Sequence, residues 1–139
     1  MSKIVNDAGP SPFYYQWGQW LQLGLVIGVT DRFHDKNWIW CPSSLQLQMV
    51  DFENSFSMSA DISQYNFIFG IYADEVGLVR KQQNAIKTGI LDMHTKMVEK
   101  CQNMTQITNK YKKNWPWEDR ISLFGPGNPD IASLLHLLN

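Results

Sequence analysis

The chain has 139 residues, 44% of them hydrophobic and 13% aromatic, with six tryptophans and a formal net charge of −1. That length and composition fit one globular domain with its own core and exclude a disordered or low-complexity polymer. Residues 1 to 79 carry 3 Lys/Arg against 8 Asp/Glu, and residues 80 to 139 carry 9 against 5. This balance favours pairing between the halves or with other protein subunits, and it lacks the concentrated basic face that nucleic acid requires.

The opening MSKIVNDAGPSPFYY has no charged n-region leading into an apolar h-region, so no secretory or transit signal is read there. The chain is expected to stay where it is made, to be imported without cleavage, or to have lost a leader. Residues 1 to 12 end in Gly9-Pro10-Ser11-Pro12, which predicts a loop and a helix beginning near Phe13. From Ala8 to Thr30 there is no charged side chain. A helix over 13–30 spans roughly 27 Å, close to the roughly 30 Å of a bilayer's hydrocarbon, and is a candidate to cross a membrane. Its first half mixes Gln16, Gln19 and Gln22 with Tyr14, Tyr15, Trp17 and Trp20, a composition suited to the headgroup level, while the stretch up to Val29 is more apolar. Gly24 and Gly28 have the spacing that lets two membrane helices approach closely; the alternative is that they accommodate a bulky neighbour in a core. Trp17, Trp20, Gly24 and Gly28 are the packing residues expected on this helix.

His34 to Trp40 reads as a polar and aromatic connector closed by Cys41-Pro42. Ser43 and Gln46 then have capping-box spacing. Leu45-Gln46-Leu47-Gln48 alternates as a strand would, but Leu45, Met49, Phe52 and Phe56 fit a helical face over a longer window, which predicts a short helix over 43–58. A polar bend follows, then Tyr65 to Tyr72, too short to cross a membrane. The longest periodic signal lies in 75–113, where Val79, Ile86, Ile90, Met93, Met97, Cys101 and Met104 form one stripe with Lys87, Lys96, Glu99 and Lys100 outside it. Ile86, Ile90, Met93 and Met97 are expected to be buried, within the chain or by a partner. Three prolines and two glycines in NWPWEDRISLFGPGNPD predict an extended tail over 114–139, with a final helical turn or two from Ile131. The fold class is therefore mainly α, a single helical domain.

His34 and Cys41 share the seven-residue spacing of His94 and Cys101. Positions seven apart on one helix lie roughly 10 Å apart, while zinc ligands approach to about 2.0 to 2.3 Å, so one helix cannot supply its pair to one metal. A site made from one member of each pair stays open, as does a Cys41 to Cys101 disulfide in an oxidising compartment. No nucleophile elbow or familiar Cys-His context surrounds these residues. Gly125-Pro126-Gly127 is followed by no Lys-Ser/Thr, and its proline lacks the N–H a phosphate loop uses. Asp74-Glu75 and Glu118-Asp119 read as helix starts or solvated turns. No catalytic residue, metal, cofactor or small-molecule substrate is therefore expected.

Gly24, Gly28 and Asp31, followed by Phe67, Gly70, Tyr72, Val79 and Arg80, resemble the glycine-rich first helix and aromatic-glycine-tyrosine second helix of the small two-helix accessory membrane subunit of mitochondrial NADH:ubiquinone oxidoreductase, complex I. That resemblance implies a non-catalytic accessory subunit of a respiratory-type complex in the mitochondrial inner membrane, with other subunits and lipid as partners. Gly24, Val26, Gly28, Val29 and Asp31, with Cys41, Pro42 and Gln46, are similar instead to the helical immunity proteins that neutralise type VI secretion amidase effectors. This alternative implies a small inhibitor that binds and blocks a bacterial effector enzyme in the periplasm. Gln22 stands near the place where that family has a cysteine. The accessory-subunit reading is the leading expectation here.

Overall fold

The computed structural model describes residues 11–29, 37–50, 55–59, 80–110 and 114–137. Among them are four helices and one hairpin: α1 (Ser11–Ile27), β1 (Trp38–Cys41), β2 (Gln46–Met49), α2 (Arg80–Lys110), α3 (Trp117–Leu123) and α4 (Pro129–Leu137). The mainly helical class holds. Tyr65 to Tyr72, Asp31, and positions 75–79 and 111–113 of the expected long helix lie outside the described residues.

Helix α1 is described from Ser11, so Ser11 and Pro12, expected in a loop, already belong to it. Pro12 falls in its first turn, where a missing N–H removes no intrahelical bond and a fixed φ already suits the helix. The helix ends at Ile27, not Thr30, because Gly28 adopts φ +67. Val29 N–H donates to Gly24 O over 3.0 Å, the six-to-one bond of a Schellman ending with glycine in the left-handed position. The Gly24 and Gly28 spacing thus reflects how the helix stops.

No described helix is long and apolar enough to cross a membrane. The uncharged helix meets other parts of the same chain: Phe13, Tyr14, Trp17, Leu21, Leu25 and Val26 are all buried in one core with Ile86, Ile90, Met97, Trp115, Ile121 and Phe124. Burial pushes the Tyr14 phenol up to about 12.

The principal packing is α1 against α2, antiparallel where they cross. A Cβ on Gly18 would lie 2.1 Å from Ile86 O, and one on Gly89 would lie 2.0 Å from Tyr15 O. Each glycine therefore admits the other helix's backbone. Around this crossing the α2 stripe behaves as its period requires: Ile86, Ile90 and Met97 are buried, with Met93, Cys101 and Met104 half-buried beside them. Tyr15 OH donates to Asp92 Oδ2 over 2.7 Å, which raises the Tyr15 pKa because the bond holds its proton.

The expected helix over 43–58 is not formed at its described positions, 43–50 and 55–58; positions 51–54 lie outside the described residues. Its place is taken by a hairpin in which Trp40 pairs with Leu47 and Cys41 with Gln46. The period-2 signal wins locally: Leu47 and Met49 are buried while Gln46 and Gln48 are exposed. The helical alternative required Leu45 in the core, yet Leu45 is 49% exposed, with φ 53 in the turn. An isolated two-stranded hairpin is marginal in water, and α1 stabilises this one. Gln16 Oε1 accepts from Leu47 N–H at 2.9 Å, Gln16 Nε2 donates to Leu45 O at 2.7 Å, and Trp20 Nε1 donates to Leu47 O at 3.0 Å. Side chains of a helix occupy the edge that a third strand would have used. Phe13 meets the other side with edge-on contacts to Trp38 and Trp40 at 5.7 and 5.3 Å.

The expected extended tail is largely two helices. Two of the three prolines read as breaking the chain sit instead at helix starts. Pro116 precedes α3, whose first turn holds Glu118 and Asp119, charges that complement the helix dipole. Pro129 opens α4, with Asn128 as N-cap accepting the Asp130 N–H on Oδ1 at 2.8 Å. Ile131, Leu134 and Leu135 then face the core at helical spacing.

These C-terminal residues satisfy the carbonyls that a helix leaves free at its end. Arg120, 4% exposed, donates from its guanidinium to Leu25 O at 2.6 Å and Val26 O at 3.3 Å. Trp115 Nε1 donates to Val26 O at 3.0 Å, and Phe56 N–H to Ile27 O at 2.6 Å. With Val29 on Gly24, each carbonyl of the last turn of α1 has a donor. The guanidinium lies 5.0 Å from the Trp115 ring centre and 4.6 Å from that of Phe124, and its charge suits a helix C-terminus.

Gly28 yields a first expected result. Its φ is left-handed, and a Cβ there would lie 2.5 Å from Ser57 O. Gly28→Leu should lower the isolated chain's stability by about 2 kcal/mol or more, from lost left-handed backbone freedom plus overpacking. A thermal melt of the purified variant checks this; an unchanged melt would contradict the capping role.

Candidate functional site

Beside the buried stripe of α2 lies a second one. His94, Val98 and Cys101 follow one another by four and three residues and face a cleft whose other wall is Glu118, Ile121 and Ser122 of α3. The loop Gly125-Pro126-Gly127 closes one end. This cleft encloses about 400 Å³, and an adjoining hollow of about 600 Å³ continues along α2 past Glu99, Gln102 and Gln106. Val98, Cys101 and Glu118 line both, so together they form one two-lobed groove.

The position of α3 produces this wall. Trp117 Nε1 donates to Thr108 Oγ1, tying the start of α3 to the last part of α2. Arg120 and Ile121 are buried, which leaves Glu118 and Ser122 on the outward side. Gly125 sits against His94: a Cβ there would lie 2.7 Å from the imidazole Cε1. His94 is half-buried, and its Nδ1 is buried without a hydrogen-bond partner. Burial lowers its pKa, because the charged form is less well solvated there. A buried acceptor without a partner is less unfavourable than a buried donor without one, so the neutral imidazole places its proton on Nε2.

The groove combines an apolar floor with acidic walls. Glu99 and Glu118 are among its lining residues, and among the described residues no Lys or Arg is. It has the shape and polarity of a contact surface for a long side chain or short segment.

The sequence-expected packing residues do not gather there. Trp17 is buried in the core, Trp20 is half-buried and bonded to β2, Gly24 is buried, and Gly28 caps α1. Ile86, Ile90 and Met97 are buried in the core, and Met93 packs at its margin. In the sequence His94 was weighed as a ligand, Cys101 as a ligand, a disulfide partner and a member of the α2 stripe, Glu118 as part of an acidic turn and Gly125 as part of a phosphate loop. The available signal was the second stripe on α2, but its opposite wall depended on α3 being a helix.

Both thiols are free. Among the described residues no group of three or more His, Cys, Asp or Glu could hold a metal ion; His34 lies outside them. Cys41 is at the hairpin end, with Sγ 3.5 Å from Ser43 Oγ. Hydrogen bonds from Ser43 and Ser44 lower its pKa to about 7, which favours the reactive thiolate near neutral pH. Iodoacetamide should therefore modify Cys41 well before Cys101 at that pH, and Ser43→Ala with Ser44→Ala should slow the reaction. Mass spectrometry of the two cysteine peptides reads the order; equal rates would contradict the serine effect.

Comparison with protein-family models, with curated proteins and with solved structures gives no match to this chain.

Proposed function

We propose that this chain is a non-catalytic protein-binding protein and, more specifically, a small helical inhibitor that binds and blocks a bacterial effector enzyme. The observation that carries this reading is the enclosure of α1 by the chain's own α2, hairpin and C-terminal segment. The uncharged run was the main ground for placing the chain as an accessory subunit in a membrane. Its burial inside the chain removes that ground, while the groove between α2 and α3 remains as a surface for another protein. The resemblance of Gly24, Val26, Gly28, Val29 and Asp31, then Cys41, Pro42 and Gln46, to the immunity proteins of type VI amidase effectors supplies the enzyme class to test.

The test mixes the purified chain with a panel of type VI peptidoglycan amidase effectors and follows peptidoglycan hydrolysis and complex size. Stoichiometric loss of hydrolysis with a stable complex supports the reading. Full hydrolysis by every effector, with the chain recovered from its source only inside a detergent-extracted multisubunit complex, returns the accessory-subunit reading in its place.

A further inference from the structure

The groove's chemistry is specific about what would fill it. Val98 and Pro126 supply accessible apolar surface, Val98 being 55% exposed although it is a large aliphatic residue, while Ile121 in the same wall is buried. Glu118 stands where the two lobes meet, and Glu99 lines the outer lobe. With two carboxylates and, among the described residues, no Lys or Arg in its lining, the groove disfavours an anionic occupant. A purely aliphatic one would leave the carboxylates partly desolvated without a partner. Lysine and arginine match both features, because their methylene stems cover apolar surface while their heads reach a carboxylate. Arginine fits best, since its planar fork bonds a carboxylate through two parallel N–H groups. His94 adds no opposing charge: its surroundings disfavour the protonated ring, and Nε2–H remains a donor for a backbone carbonyl.

We propose that the groove between α2 and α3 is a docking site for an arginine-bearing loop of a partner protein, its stem on Val98 and Pro126 and its guanidinium on Glu118. This deepens the inhibitor reading by naming the chemistry of the contact, and it rests on that reading only for the partner's identity.

The probes are three capped pentapeptides, acetyl-Gly-Leu-X-Leu-Gly-amide, with X as arginine, norleucine or glutamate. Each is titrated into the full chain while amide signals of Val98, Cys101, Ile121 and Gly125 are followed by NMR. Saturable shifts at these positions are expected with arginine. Norleucine and glutamate should bind at least about fivefold more weakly, the factor equivalent to about 1 kcal/mol. Glu118→Gln and, separately, Glu99→Gln test the carboxylates; retained amide dispersion shows that each variant is folded. Glu118→Gln should weaken the arginine peptide by a similar factor and Glu99→Gln by less.

Equal affinity for arginine and norleucine peptides, no saturable shift with any peptide, or an unchanged arginine affinity in Glu118→Gln would each overturn the proposal. The amidase assay separates this outcome from failure of the functional reading. Inhibition retained by Glu118→Lys would mean that the inhibitor works without this groove. Arginine-selective binding with no effector inhibited would leave the groove standing and remove the effector.

Discussion

Gly18→Ala and Gly89→Ala are each expected to destabilise the chain by about 3 kcal/mol, the upper end of overpacking costs. Alanine normally favours a helix over glycine by about 1 kcal/mol, so the sign depends on the neighbours. Here the added carbon would meet backbone in both directions, Ile86 O at 2.1 Å and Tyr15 O at 2.0 Å. A carbonyl inside a helix cannot rotate away as a flexible side chain can, and the two helices must separate. The core around Trp17, Leu21, Ile86 and Ile90 would then loosen along its length. At this chain length the change corresponds to a fall in Tm of roughly 10 °C. Gly127→Ala is the control, since nothing lies within 4 Å of its added Cβ. A melt unchanged in Gly18→Ala and Gly89→Ala would contradict the close crossing.

Arg120→Ala should be nearly as costly, by about 2 to 3 kcal/mol, the range for losing hydrogen bonds from a charged donor and leaving a buried acceptor unsatisfied. The substitution leaves the Leu25 and Val26 carbonyls without the guanidinium that binds them and opens a space between Trp115 and Phe124. Arg120→Lys keeps the charge at the helix C-terminus but not the fork that reaches both carbonyls, so its melt should lie between the two. Because Arg120 anchors α3, the Ala variant should also expose Trp115, visible as a red shift of tryptophan emission below the main transition. If Lys and Ala behave alike, the helix-end charge contributes little and the fork geometry accounts for the effect. If neither alters the melt, α3 is not held by this contact.

The parts of the fold legible in sequence were those set by a single element's own period. The uncharged run is a helix, and Ile86, Ile90 and Met97 face a core because a 3.6-residue repeat leaves little choice. What was not legible depended on two elements at once. Gly18 and Gly89 are unremarkable in their own helices, and their pairing follows only from the crossing. The Gly24 and Gly28 spacing drew attention for a reason that belongs to membranes, whereas Gly28 serves a left-handed turn. Pro116 and Pro129 read as breakers, though each has the position before or at a helix start where proline is tolerated. At Leu45-Gln46-Leu47-Gln48 two periods competed; the strand prevailed once Gln16 and Trp20 bonded its edge, contacts from 27 to 31 residues away. The groove shared this limit: of its α2 wall only Cys101 belonged to the stripe singled out in the sequence, and its α3 wall was taken for extended chain.

The account turns on α1 being enclosed by its own chain, and amide hydrogen exchange in detergent-free buffer tests that most directly. Tyr14 to Val26 should exchange only through global unfolding, as slowly as Ile86 to Met97, with Gly18→Ala accelerating both segments together. Rapid exchange over Tyr14 to Val26 while Ile86 to Met97 stays protected, with protection restored by detergent, would contradict it and show a helix that needs a membrane or another subunit to cover it.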